Sequence, residues 1–178
     1  GDYENALEYH ERSLAIREEL GDKRGMGINL DNIGIVHSDK CDYGKALDYY
    51  DRSLAIDEEI GDKSGMGFSL TNIGNVYFDK GDYDKALDYY DRSLAIREEL
   101  GDKSGIGSSL NNIGLVYADK GDYKKTQEYL EESLSIQKEI GIKELELETT
   151  TYLYLAYKQL GKDYDVKEIQ TLIKKAYN

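Results

Sequence analysis

The chain has 178 residues, with 36 acidic against 23 basic side chains and a net charge of −13. That balance argues against a polyanion such as DNA, or an acidic membrane surface, as the main partner, because phosphate binding relies on clustered positive charge. There is no proline or tryptophan but there are 18 glycines and 17 tyrosines, a composition suited to helices joined by short glycine turns.

Residues 3–20 predict a helix, with Tyr3, Ala6, Leu7, His10 and Leu14 at spacings of three and four. Asp2 is its expected N-cap and Gly21 its expected C-terminal stop. A second helix is predicted over 23–40, with Leu30, Ile33, Gly34 and His37 on one face. The link between them is so short that the two should pack antiparallel. The pair then recurs, with helices near 43–60, 63–80, 83–100, 103–120 and 123–140. Asp42, Asp62, Asp82, Asp102 and Asp122 stand at the N-cap positions. After Gly141 the pattern decays, and two further helices are predicted near 143–160 and 164–177. The last has an apolar face of Ile169, Leu172, Ile173 and Ala176, as the terminal cap of a stacked repeat should.

The repeat has a fixed period. Gly34, Gly74 and Gly114 lie 40 residues apart, and so do the Ser-Leu-Ala-Ile runs at Ser13, Ser53 and Ser93. Such a period marks a solenoid of supersecondary units. Glycine inside a helix costs about 1 kcal/mol against alanine, so its return at one register calls for close helix approach.

Catalytic chemistry finds little support in the residues. His10 and His37 are the only histidines, and both stand where sister repeats carry tyrosine (Tyr50, Tyr90; Tyr77, Tyr117). An aromatic packing role therefore accounts for them better than general-base catalysis. Gly65-Met66-Gly67 and Gly105-Ile106-Gly107 lack the preceding strand and the full spacing of a phosphate loop and are read as helix packing. The acidic pairs Glu18-Glu19, Glu58-Glu59 and Glu98-Glu99 read as solvated faces. No calcium-loop pattern occurs, and the single cysteine, Cys41, excludes an internal disulfide and a cysteine-based zinc site. No cofactor is expected. No apolar run approaches the roughly 20 residues that span a bilayer, so neither membrane nor nucleic acid is an expected partner. A lone cysteine fits a reducing, cytoplasmic compartment.

Asn72-Ile73-Gly74-Asn75-Val76-Tyr77, followed by Gly81-Asp82-Tyr83, Ala86 and Tyr90, resembles the tetratricopeptide repeat. The first-helix signature maps to Leu70, Ile73, Gly74 and Tyr77, and the second-helix signature to Ala86, Tyr90 and Ser93. The usual proline at the repeat end is missing, and Glu98 stands near its place. The usual repeat has 34 residues; the longer helices here resemble those of kinesin light chains and the spindle-orientation adaptors. The resemblance implies an all-α, right-handed superhelical solenoid of antiparallel helix pairs, about nine helices in all. It reads as a single array: a half repeat over 1–22, full repeats over 23–62, 63–102 and 103–142, and a divergent capping repeat over 143–178.

Positions 68, 72, 75 and 79 share one face of a helix. In the tetratricopeptide family that face lines the concave groove. The corresponding residues are Ile28, Asp31, Asn32, Ile35, Ser38 and Asp39; then Phe68, Thr71, Asn72, Asn75, Phe78 and Asp79; then Ser108, Asn111, Asn112, Leu115, Ala118 and Asp119. The resemblance implies that the ladder Asn32, Asn72, Asn112 holds the backbone of a bound peptide, as in kinesin light chains and bacterial peptide-pheromone receptors. An amide side chain both donates and accepts, so it can bond a peptide unit without reading its side chain. None of these positions is basic, which disfavours a clamp on a C-terminal carboxylate and favours a basic or apolar protein or peptide partner.

The expected function is non-catalytic protein or peptide binding in the groove. A structural spacer or oligomerisation arm, and a sensor array of a larger signalling protein, are the alternatives. The opening Gly1-Asp2-Tyr3 falls mid-repeat and shows no signal-peptide pattern, so the chain is expected to be a piece of a longer protein. The strip Leu7, His10, Leu14 is expected to be left half-covered and to drive self-association at that end.

Overall fold

The structure, a computed structural model, describes residues 2–162. The described residues form eight α-helices and no strand: α1 Tyr3–Leu20, α2 Lys23–Asp39, α3 Tyr43–Ile60, α4 Lys63–Asp79, α5 Tyr83–Leu100, α6 Lys103–Asp119, α7 Tyr123–Ile140 and α8 Lys143–Gln159. The predicted boundaries hold to within one residue; α2, α4, α6 and α8 end a residue early. The helix expected near 164–177 lies outside the described residues.

Local chemistry starts and stops each helix. Asp22, Asp62 and Asp102 accept the backbone N–H of Gly25, Gly65 and Gly105 at 2.9, 3.1 and 3.0 Å. Asp42, Asp82 and Asp122 do the same for Lys45, Lys85 and Lys125. Each such cap is worth about 1 kcal/mol. At the other end, Gly21 sits at φ 66°, a left-handed conformation that glycine adopts without Cβ strain. It brings the Asp22 N–H back to the Arg17 carbonyl at 2.9 Å, so the chain reverses within two residues.

Contacts gather the chain into two compact units, residues 1–96 and 97–178. In the first, α1 packs on α2, α2 on α3, and α3 on α4. Its core holds Leu14, Leu30 and Ile33 at one end and Ala46, Tyr50, Leu54, Leu70, Ile73 and Val76 further along. In the second, α6 packs on α7 and α7 on α8, around Leu130, Leu134 and Leu153. Burying a side chain of this size contributes about 1.5–3 kcal/mol, and the 40-residue register brings the same types to the same contact each time.

The recurrent glycines are contact points. A Cβ on Gly34 would lie 2.5 Å from the Tyr50 ring, on Gly74 2.6 Å from the Tyr90 ring, and on Gly114 2.6 Å from Leu130. The second-type helix thus presses a large side chain onto bare backbone. Two turns before these glycines, three serines of the second-type helices donate to a glycine carbonyl: Ser53 to Gly27 at 2.9 Å, Ser93 to Gly67 at 2.8 Å, Ser133 to Gly107 at 2.7 Å. Both glycine motifs therefore serve helix packing.

His37 stacks on Tyr49 with ring centroids 5.5 Å apart, as Tyr77 does on Tyr89 and Tyr117 on Tyr129. It fills an aromatic position. Burial, the largest cause, lowers its pKa and keeps it neutral.

The strip expected to be open on α1 is covered: Leu14 is buried against Leu30 and Ile33, with Leu7 packed beside them, because this is the side that meets α2. The open face of α1 carries Tyr9, Ile16 and Leu20 instead, 72%, 59% and 75% exposed.

The last described helix shows why its sequence pattern decays. Ile142 replaces the capping aspartate, and α8 starts without a side-chain cap bond. Thr150 occupies the register of Leu30, Leu70 and Leu110, fully buried, and its hydroxyl finds no partner among the described residues.

Candidate functional site

The first-type helices α2, α4, α6 and α8 present one face away from the second-type helices. Asn32 and Asn72 occupy matching registers on α2 and α4 in the first unit, and Asn112 the same register on α6 in the second; all three are half-buried. Ile35, Thr71, Phe78 and Leu115 are half-buried as well, while Phe68, Asn75, Asp39, Asp79 and Asp119 are exposed. The expected face is therefore open at most of its positions.

Two of its members are buried. Asp31 and Asn111 are 4% and 8% exposed. Asp31 accepts a hydrogen bond from the Ser69 hydroxyl and Asn111 one from the Thr149 hydroxyl, both at 2.9 Å and both 38 residues away. They tie one first-type helix to the next. Others are shared with the neighbouring second-type helix. The Thr71 hydroxyl donates to the Gly67 carbonyl at 2.9 Å and lies 2.8 Å from the Ser93 hydroxyl. Asn75 accepts the Tyr90 hydroxyl at 2.7 Å. The ring of Phe78 rests on Tyr83, centroids 5.9 Å apart. Ile35 packs against the first unit's core.

Asn72 is different. Its side-chain Nδ2 is buried and has no hydrogen-bond partner among the described residues. A buried, unpaired amide donor costs about 1–3 kcal/mol.

Between α2 and α4 lies a cleft of about 330 Å3, lined by Arg24, Ile28, Asp31, Asn32, Asp62 and Phe68 among others. It brings four of the expected face residues together: Ile28, Asp31, Asn32 and Phe68. Arg24 and Asp62 were absent from the expected set, as was Asp57, whose carboxylate packs on Gly65 in the cleft wall. Arg24 bonds Asp62 at 3.0 Å. Burial is the largest cause pushing the Asp31 carboxyl up to about 7 and the Asp57 carboxyl up to about 6. Their signal in the sequence is a break of register: Arg24 stands where Ser64 and Ser104 stand, and Asp57 where Arg17 and Arg97 stand.

Among the described residues no group of three histidine, cysteine, aspartate or glutamate side chains could hold a metal ion, and no helix is long and apolar enough to cross a membrane.

The sequence matches the family model of the tetratricopeptide repeat over residues 1–59 and 66–164. The chain belongs to the tetratricopeptide repeat family. No curated protein sequence matches it significantly. Among solved structures, this tetratricopeptide chain is similar to BtubC (BKLC) from P. vanneervenii, at 17% identity and TM-score 0.79 over 99% of this chain and 72% of that one. It is also similar to a putative kinesin light chain from Podosopora anserina with nearly identical TPR-like repeats, at 17% identity and TM-score 0.70 over 98% and 85%. A third is a Rap protein complexed with competence and sporulation factor, at 16% identity and TM-score 0.79 over 98% of this chain and 48% of that one. At these identities the likeness concerns the fold: an all-α tetratricopeptide solenoid, the architecture of a protein-interaction module.

Proposed function

We propose that this chain is a non-catalytic module that binds a peptide or an extended protein segment along the open face of its first-type helices. The observation that carries the reading is Asn72: a buried amide donor without a partner among the described residues, on the face that also exposes Phe68, Asn75 and Asp79. Rotation of the side chain out of the wall would bring it to a passing peptide carbonyl, and Asn32 and Asn112 stand at the same register to do likewise. That one structural neighbour is a Rap protein complexed with competence and sporulation factor supports the reading by analogy of fold. Asp39, Asp79 and Asp119 recur at one register of the first-type helices, and in a chain of charge −13 this favours a partner that is basic or apolar. The whole of 1–178 is read as one array, working in the cytoplasm.

The test is Asn72→Ala, alone and with Asn112→Ala, against peptides selected from a random library. Each change should weaken binding by about 0.5–1.5 kcal/mol while helicity stays level and melting does not fall. Unchanged binding by the double variant would remove the backbone-holding role, and a collapse in melting would assign the asparagines to the fold instead.

Self-association is a second reading, favoured by one observation. The open face of α1 is self-complementary about a two-fold axis near Arg12 and Ser13. Laid antiparallel on a second copy, Glu8 meets Arg17, Tyr9 meets Ile16, and Asn5 meets Leu20. Such pairing of one patch with itself is what a symmetric dimer requires.

A further inference from the structure

Three charge-changing departures from the repeat converge on the α2–α4 cleft. Where Asp57 stands, the repeats on either side carry Arg17 and Arg97. Those arginines turn onto the capping aspartate of the next helix, Arg17 on Asp22 at 2.8 Å and Arg97 on Asp102 at 2.9 Å. At Asp57 that cation is replaced by a carboxylate. Arg24, at a serine register, supplies the missing bond to Asp62 at 3.0 Å. Asp31 is the third departure, at the register of Thr71 and Asn111.

The result is a surplus of negative charge: Asp31, Asp57 and Asp62 against Arg24 alone. Arg24 is occupied at the rim, its side chain 71% exposed. Asp31 lies at the floor and is held by the Ser69 hydroxyl at 2.9 Å. No lysine or arginine among the described residues pairs with it. A buried carboxylate served only by hydroxyls is costly to ionise, which is why its proton is retained to about pH 7. Over this floor stand two apolar walls, Ile28 and Phe68, 53% and 44% exposed. Acid below and hydrocarbon above complement one kind of side chain, a cationic head on an alkyl stem, which buries the stem along apolar surface. Phe68 adds an aromatic face that favours a nearby cation.

We propose that the α2–α4 cleft takes a lysine or arginine side chain of the bound peptide, its stem between Ile28 and Phe68 and its cationic head at Asp31. The inference rests on the groove reading and adds a register to it: the basic residue of the ligand sits over the first unit, next to Asn32.

The whole chain is used to select from a random heptapeptide library at pH 8. The best peptide is then remade with lysine, arginine or norleucine at its basic position and titrated. One basic position should be enriched, and norleucine there should weaken binding about tenfold, the scale of one charge-assisted hydrogen bond. Lysine and arginine versions report which head group fits. Asp31→Asn should lower the affinity of the basic peptide to that of the norleucine version. The fold tolerates asparagine at this register, since Asn111 occupies it and bonds Thr149; circular dichroism checks this. Phe68→Ser should weaken both peptides, the basic one more than the norleucine one. Enrichment without a basic position, norleucine binding as tightly as lysine, or an Asp31→Asn variant with full affinity each overturns the cationic pocket and leaves the groove reading standing. A library that yields no binder overturns both.

Discussion

Asp31 illustrates how one side chain couples stability to pH. Its carboxyl is raised from 3.8 to about 7, chiefly by burial. The folded chain therefore holds this proton more tightly than the unfolded chain does. The stabilisation is complete below about pH 4 and is lost as pH climbs through 7. Asp57, raised to about 6, acts in the same direction. Asp42 and Asp82 are lowered, with bonds to Lys45 and Lys85 among the causes, and act the opposite way. Asp31→Asn should accordingly stabilise the chain at pH 8 by about 4 kcal/mol, the worth of a shift from 3.8 to about 7, and change it little at pH 4. Urea titrations at the two pH values check this, and equal effects at both would mean that Asp31 is ionised as easily as a surface carboxylate. Gly74 offers a second single-residue test. Alanine is the better helix former by about 1 kcal/mol, but its Cβ would lie 2.6 Å from a Tyr90 ring that is 2% exposed and tied to Asn75 through its hydroxyl. Overpacking costs about 1–3 kcal/mol and should prevail. Gly74→Ala should lower the melting temperature, whereas Gly44→Ala, with nothing within 4 Å, should leave it level or raise it.

The helices differ most in how they begin. Those preceded by aspartate start with a side-chain bond to the third helical N–H, whereas α8 starts at Ile142 with none. The same helix buries Glu146, bonded to Lys143, where earlier repeats carry Met26, Met66 and Ile106. Its start is therefore the weakest in the described stack. Ile142→Asp should restore the cap and add about 1 kcal/mol, read as slower amide exchange over residues 143–147. Unaltered exchange there would show that the α8 terminus is held by packing alone. Stability in such a stack is close to a sum of unit and neighbour terms, so the gain should be felt in α7 and α8 far more than in α1.

The face of α1 bears on how two copies of this chain meet. Tyr9, Ile16 and Leu20 are more exposed than their counterparts Tyr49, Ile56 and Ile60, two of which pack against the core around Leu30. An apolar strip rimmed by Glu8, Arg12 and Arg17 is the surface through which we propose that copies associate. The 178-residue chain is expected to dimerise through it, and Ile16→Glu should return it to monomer without loss of helicity. Sedimentation over a range of concentrations decides the matter; a monomer at the highest concentration would leave the strip as plain surface.

Helix positions, caps, the repeat and the core were legible in the sequence because each depends on residues within a turn or two of one another. Asp22 lies three residues from the N–H it caps, and Leu30 and Ile33 share a stripe by spacing alone. The 40-residue register then assured that the same contact would recur. It also exposed Gly34, Gly74 and Gly114 as close-approach points before their partners were known. What the register could not reveal is which polar members of the open face turn inward. Asp31 and Asn111 reach partners 38 residues away, and Ser53 reaches a carbonyl 26 residues away. Such pairings depend on how two helices cross, which no single-helix period encodes. For the same reason Arg24 and Asp62, 38 residues apart in numbering (62 against 24), came to line one cleft only when α2 and α4 packed together and buried Asp31.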